Sequence, residues 1–259
     1  LIAGNGEYGA QTHGIAAKEY ADEVYLRVYI KDNDGNYVYG DLIEYSVQDY
    51  CQKMLNRDYS TNARGQLLQK VCAHLLHFGA AAQTHFKYNT GDLANNCEPM
   101  EKYPADAWNA NLLTAMTEVN TEFVGDATIK DNGKTLSLDG AVVVNFYFKP
   151  TSTDWTAKEA ELLVWDGVTE ALTLNNVSYT KEMIKSGVEW GGQSREFAAK
   201  EYGKTIFACA KLTDTEGNVH YSDIVNYSPE YYAADHIGRN KNATLIATVK
   251  AMVTYGDYA

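Results

Sequence analysis

One stretch of this chain occurs twice, and that repetition constrains the fold more than any other feature. From Glu7 the sequence reads E-Y-G-A-Q-T-H-G-I-A-A-K-E-Y, and from Glu189 it reads E-W-G-G-Q-S-R-E-F-A-A-K-E-Y. The offset of 182 residues then holds without a gap for roughly forty further positions. Asp32, Gly35, Asn36, Tyr39 and Ser46 meet Asp214, Gly217, Asn218, Tyr221 and Ser228. After a loop deletion of about five residues, Leu68, Phe78, Gly79 and Ala82 meet Leu245, Tyr255, Gly256 and Ala259. The matched positions are turn glycines, helix caps and apolar stripes, so the repeat is a folding unit.

Within the first copy, Glu23 to Ile30 is β-branched and aromatic, the composition of a strand. Asp32-Asn-Asp-Gly-Asn36 is a turn, with Gly35 supplying the positive φ of a hairpin, and Tyr37 to Tyr45 is the return strand. Ser46 caps a helix from Val47 to about Asn56. A second helix, Ala63 to about Ala82, carries Leu68, Cys72, Leu75 and Leu76 on one stripe. The second copy repeats this plan, with helices from Pro229 and from Asn242. Between the copies, Asp106 to Val119 reads as helix. From Asp126 the pattern turns to strands: Ala127–Ile129, Lys134–Leu138, Ala141–Phe148, Glu161–Trp165, Ala171–Leu174 and Ser178–Tyr179.

The expected fold is α+β: tandem Ig-like β-sandwich units, each ending in an antiparallel helical hairpin, the first truncated at its N-terminus. Residues 1–95 are then the C-terminal part of a first unit, 96–122 a connecting and partly helical segment, and 123–259 a second, nearly complete unit. Leu1 aligns with Met183, inside the second copy, so the sequence is expected to be a piece of something longer. Strands of the first unit left without neighbours would need a partner, and neighbouring copies of the same protein are one source.

The formal net charge of −12 argues against nucleic acid and against anionic membrane surfaces. No apolar run approaches the roughly 20 residues that span a bilayer. Tyrosine and tryptophan (20 and 4 residues) far outnumber phenylalanine (7), a set suited to half-exposed strand faces and wet binding surfaces. The four cysteines form no CxxC pair, and the apolar counterparts of Cys51 and Cys72 in the second copy, Ala233 and Val249, point to buried free thiols.

The runs I-A-A-K-E-Y, Y-S-V-Q-D-Y and H-F-G-A-A-A-Q-T-H-F-K-Y-N-T-G-D-L-A-N-N resemble a repeat module of large secreted or surface proteins from anaerobic gut and rumen Gram-positive bacteria. Lys134 to Lys149 is similar to that module's opening strands. The second copy departs from the pattern at Pro229-Glu-Tyr and Tyr255-Gly-Asp-Tyr. The resemblance implies an accessory extracellular or cell-surface module and brings no catalytic residues with it.

No residue set reads as catalytic. There is no GxSxG elbow, and Gly203-Lys204-Thr205 lacks the earlier glycine of a phosphate loop. His74 and His77 share a helix face without further metal ligands in sequence, and Asp32–Asn36 lacks the glutamate that closes a calcium loop. No metal and no cofactor is expected. With 34 acidic residues, spacing alone nominates no carboxylate pair for glycoside hydrolysis, which stays the distant alternative. The expectation is a non-catalytic, glycan-binding or adhesive module whose partner is a polysaccharide or surface glycan. A structural spacer or assembly unit is the alternative. Candidate platform residues are Trp155 and Trp108, which lie among Asn, Asp and Thr, together with the internal equivalents Trp190 and Tyr8.

Overall fold

The computed structural model describes residues 14–259 in full and 2–4 and 7–9 as backbone strands. The fold is mixed α+β, with antiparallel sheets and four α-helices among the described residues. In chain order these are β1 (Ile2–Gly4), β2 (Glu7–Gly9), β3 (Val24–Lys31), β4 (Tyr37–Tyr45), α1 (Val47–Leu55) and α2 (Ala63–Phe86). There follow β5 (Ile129–Ser137), β6 (Val143–Pro150), β7 (Ala157–Asp166), β8 (Tyr179–Glu182), β9 (Ile184–Ser186) and β10 (Glu189–Gln193). The chain continues with β11 (Ile206–Asp214), β12 (Val219–Tyr221), β13 (Val225–Tyr227), α3 (Pro229–Arg239) and α4 (Ala243–Tyr258). Two compact units emerge, one built mainly from residues 1–107 and the other mainly from 108–257.

The first unit holds the β1–β2 and β3–β4 hairpins and the pair α1 and α2. Ser46 caps α1 by accepting the Asp49 N–H at 2.9 Å, and Asn62 caps α2 by accepting that of Gly65 at 3.0 Å. Cys51, Met54 and Leu55 of α1 bury against Cys72, Ala73 and Leu76 of α2. All four cysteines are free, and Cys51 and Cys72 are buried. Gln69 closes the far end of α1 by donating to the Leu55 and Arg57 carbonyls at 3.1 and 2.9 Å. The buried Gln83 amide accepts from Ala94 N–H at 2.7 Å and donates to the Asp92 carbonyl at 2.9 Å, fixing the segment after α2.

The second unit holds two sheets, ordered β5-β6-β10-β9 and β12-β11-β7-β8, with β13 also paired to β11. Their inner faces meet where a β-carbon on Gly192 of β10 would lie 3.0 Å from Leu162 of β7. Val144, Phe146 and Phe148 fill that interface from one sheet, and Leu162, Val164 and Leu212 from the other, all fully buried. The outer face of β11 is covered as well: Phe207 and Cys209 pack with Trp165, Leu172, Val119 and Phe123. Burial on both faces explains why β11 reads as a continuous apolar run, I-F-A-C-A, where a one-sided strand would alternate.

Local geometry repeats at the sequence offset. Val24↔Tyr45, Tyr29↔Tyr39 and Lys31↔Tyr37 pair in β3–β4, and the equivalent Ile206↔Tyr227, Lys211↔Tyr221 and Thr213↔Val219 pair in β11 with β13 and β12. Asp32 and Asp214 each accept the N–H of the asparagine four residues on at 2.8 Å. Gly35 and Gly217 hold φ of 87° and 90°. Ala3↔Tyr8 in β1–β2 matches Lys185↔Trp190 in β9–β10.

Four expected elements differ, the first being the strand expected over 127–129, which is a turn at 127–128 leading into β5. The helix expected over 106–119 is irregular, with one 3-10 turn at Ala110–Leu112. Its backbone groups bond sequence-distant partners instead: Thr114 N–H to the Glu230 carboxylate at 2.6 Å and Thr117 N–H to Thr205 Oγ1 at 2.9 Å. The strand expected over 171–174 is a loop closed around the Trp165 indole, whose N–H donates to the Thr173 carbonyl at 2.9 Å and to Asn176 Oδ1 at 3.0 Å. The return strand of the second copy breaks into β12 and β13 where Ser222 Oγ accepts the Ala210 N–H at 2.9 Å. β1, β2, β9 and β10 fall outside the expected strands.

Candidate functional site

The second unit offers two concave surfaces with aromatic lining. The first is a cleft of 170 Å³ at the open end of the two sheets, lined by Pro150, Trp155, Lys185, Val188 and Trp190 among others. It brings together two of the residues singled out in sequence. Neither is a free platform. Trp190 points inward from β10 and is 5% exposed, with Lys185 Nζ 5.6 Å from its ring centroid. Trp155 is half-buried in the loop between β6 and β7. One of its faces stacks on His220 at 4.0 Å, with 10° between the planes. His220 is itself held between Asp126 and Asp214, each 3.2 Å from a ring nitrogen. Burial pushes the Asp214 carboxyl up, and bonds from Asn218 and His220 outweigh it, leaving the carboxyl well below the ordinary range. Trp155 is thus seated on a hydrogen-bonded support, with its remaining surface toward the cleft.

Trp108 does not line this cleft; it is half-buried, with Lys250 Nζ 5.6 Å from its ring centroid. Tyr8 lies in β2, and its side chain falls outside the described residues.

The second surface is a trough of 340 Å³ on the outer face of the β5-β6-β10-β9 sheet, lined by Asn145, Tyr147, Ile184, Glu189, Gly191 and Gln193 among others. Strand alternation builds it. Val144, Phe146 and Phe148 point inward, so Asn145 and Tyr147 point outward. The registers Thr135↔Asn145 and Asn145↔Gln193 set three polar side chains in a row across the sheet. Asn145 Nδ2 donates to Thr135 Oγ1 at 3.2 Å and Ser137 Oγ at 3.0 Å, and its Oδ1 accepts from Gln193 Nε2 at 2.9 Å. Tyr147 stands opposite Gly191, where a β-carbon would come 3.2 Å from the ring, so the glycine leaves the ring room over β10. Glu189 accepts from Asn132 Nδ2 at 2.6 Å.

The size difference separates the two surfaces. Sites for small organic ligands occupy about 300–1,000 Å³, which the trough meets and the Trp155 cleft does not. Chemically, the trough offers an aromatic ring beside fixed amides and one carboxylate. Glycoside hydrolysis needs two carboxylates, and Glu189 is the only one in its lining. Sequence reasoning missed Tyr147 and Gln193; the available signal was Asn145 interrupting an apolar run, which marks the outward face of β6.

The histidine and calcium-loop alternatives resolve locally. His74 Nε2 faces Asp106 at 3.2 Å and His77 Nε2 faces the Tyr103 carbonyl at 2.8 Å. Asp32 bonds the N–H groups of Asp34 and Asn36 within its own turn. Among the described residues, no group of three or more His, Cys, Asp or Glu side chains is placed to hold a metal ion, and no helix is long and apolar enough to cross a membrane.

No family model matches this chain, and no curated protein or solved structure is detectably similar to it.

Proposed function

We propose that this chain is a non-catalytic, extracellular module that binds glycan through the trough over β6 and β10. The observation that carries the reading is Tyr147 lying across Gly191 beside the bonded amides of Asn145 and Gln193. A sugar presents an apolar face of C–H groups rimmed by hydroxyls. An aromatic ring accepts the face, and the exposed Gln193 amide and the Glu189 carboxylate meet the rim, with the buried Asn145 holding Gln193 in place. Amides already fixed by neighbours lose little freedom on binding. The cell-surface setting follows from the module resemblance carried by I-A-A-K-E-Y and the Gly-Ala-Ala-Ala run. The same resemblance, with the shared strand registers, supports reading the chain as tandem Ig-like units with helical hairpins.

Affinity electrophoresis through gels containing xylan, starch, soluble cellulose derivatives or mucin tests the reading. The folded chain is expected to be retarded by at least one of them, and Tyr147→Ala and Gln193→Ala to abolish that retardation. Normal migration through every gel overturns the proposal.

A structural or assembly role is the second reading. The observation favouring it is the β3–β4 hairpin, whose side chains are almost all exposed.

A further inference from the structure

The β3–β4 hairpin exposes an unusual amount of apolar surface. Tyr25 is 55% exposed, Ile30 56%, Leu42 63% and Ile43 52%. Ile30 and Ile43 lie on one face of the hairpin and Tyr25 and Leu42 on the other, and large apolar side chains uncovered on both faces of a strand pair mark an interaction site. Among the described residues β3 pairs with β4 alone, so its other edge carries unpaired backbone groups.

The second copy shows what covers the equivalent edge. β11, the counterpart of β3, pairs along its whole length with β7, from Ile206↔Asp166 to Thr213↔Glu159. Ser222 and Ala210 bond each other on the β12–β13 side. Alternate residues of β11 therefore turn their backbone groups to β7. Transferred through the repeat, Arg27 and Tyr29 turn theirs to the open edge of β3.

We infer that the open edge of β3 receives an added strand of β7 type, an extended segment with the side-chain pattern of Ala157–Asp166. The match holds position by position. Leu26, Val28 and Ile30 would stand opposite the equivalents of Val164, Leu162 and Ala160, an apolar row on one face. Their counterparts Ala208, Ala210 and Leu212 are fully buried by the same arrangement. On the other face Tyr25 would meet the equivalent of Trp165. Lys31 would meet that of Glu159, and Arg27 would lie diagonal to that of Glu161. Charge therefore complements across the pair, as Lys211 and Glu161 do at 2.6 Å in the second unit. Main-chain pairing supplies the attraction and the alternating side chains supply the selectivity. This inference is independent of glycan binding, because the trough and the hairpin belong to different units.

A fluorescein-labelled peptide with the sequence of Thr156–Gly167, titrated with the full chain and read by anisotropy, tests it. Saturable 1:1 binding is expected. Ile30→Asp should weaken it more than about tenfold, because it places a charge in the apolar row. Lys31→Glu should weaken it about three- to tenfold, and a Glu159→Lys peptide should recover the loss. Both substitutions sit on exposed positions, and far-UV circular dichroism confirms the fold. Three outcomes overturn the inference: no binding, equal binding of a scrambled peptide, or indifference to both variants. Sedimentation showing a dimer that Ile30→Asp dissociates, with no peptide binding, would make a second copy the occupant and would also overturn it.

Discussion

Gly79 of α2 lies against Tyr20: a β-carbon there would come 2.8 Å from Tyr20 Cδ2 and 3.1 Å from the Ala17 carbonyl oxygen. Gly256 of α4 repeats the contact, 2.8 Å from Tyr202 Cδ2 and 2.9 Å from the Ala199 carbonyl oxygen. In each copy the helix glycine admits the A-A-K-E-Y turn. Replacing glycine with alanine inside a helix normally stabilises by about 1 kcal/mol. Here the sign should reverse. Gly79→Ala and Gly256→Ala are each expected to destabilise by about 1–3 kcal/mol through overpacking. Urea denaturation of the two variants checks this, and a raised midpoint in either would show that the contact is slack.

Gly191 should matter for binding more than for folding. A β-carbon would meet the Tyr147 ring at 3.2 Å, and the ring can tilt away because it borders an open trough. Gly191→Val is expected to change the unfolding midpoint little and to remove glycan retardation, since the tilted ring no longer offers its face. Retardation equal to the wild type would show that the ring takes no part.

These two glycines show what could be read from sequence and what could not. Asp32-Asn-Asp-Gly-Asn36 states its own hairpin, because the aspartate bonds backbone groups two and four residues on and the glycine supplies the turn. Ser46 and Asn62 state helix starts for the same local reason. The copy-to-copy match of Gly79 with Gly256 was legible in sequence, and the tyrosine that each glycine packs against was not. The irregular run 106–119 was illegible, since its N–H groups bond Glu230 and Thr205, about a hundred residues away. The trough was illegible because it needs the register of β6 against β10, and neither strand encodes the other's alignment. Trp155 drew attention by its polar neighbours, yet His220, which covers one of its faces, comes from β12.

Alkali should loosen the protein through its thiols. Burial raises Cys97 and Cys209 to about 11. In the unfolded chain a thiol ionises near 8.5. The folded state disfavours the thiolate, so the contribution is intact below about pH 8.5 and is lost as pH rises toward 11. Guanidinium midpoints should therefore fall between pH 8 and 10.5, and a Cys97→Ser, Cys209→Ala double variant should fall less. An unchanged slope in that variant would assign the loss to other groups, such as the buried Tyr202 and Tyr227, which are also raised.

Asp166 at the end of β7 gathers two cations: Arg195 bonds one oxygen, and Lys204 Nζ lies 2.7 Å from the other. Arg195 also bonds both oxygens of Glu201 at 2.8 and 3.1 Å. The Asp166 side chain is 11% exposed. Burial pushes its carboxyl up, and the two cations outweigh burial, leaving it below the ordinary value. Arg195→Met should cost about 2 kcal/mol at pH 7, less than a lone buried pair because Lys204 remains. A depressed carboxylate stabilises the fold above its unfolded value, near 3.9, and that contribution fades as pH falls through the folded value. The deficit of Arg195→Met should therefore be full between pH 5 and 7 and should narrow below about pH 4, where Asp166 and Glu201 take up protons. Urea titrations of both proteins across that range check it. A deficit that stays constant with pH would mean that the arginine acts by lying over the Phe197 ring, whose centroid is 5.3 Å from its guanidinium carbon.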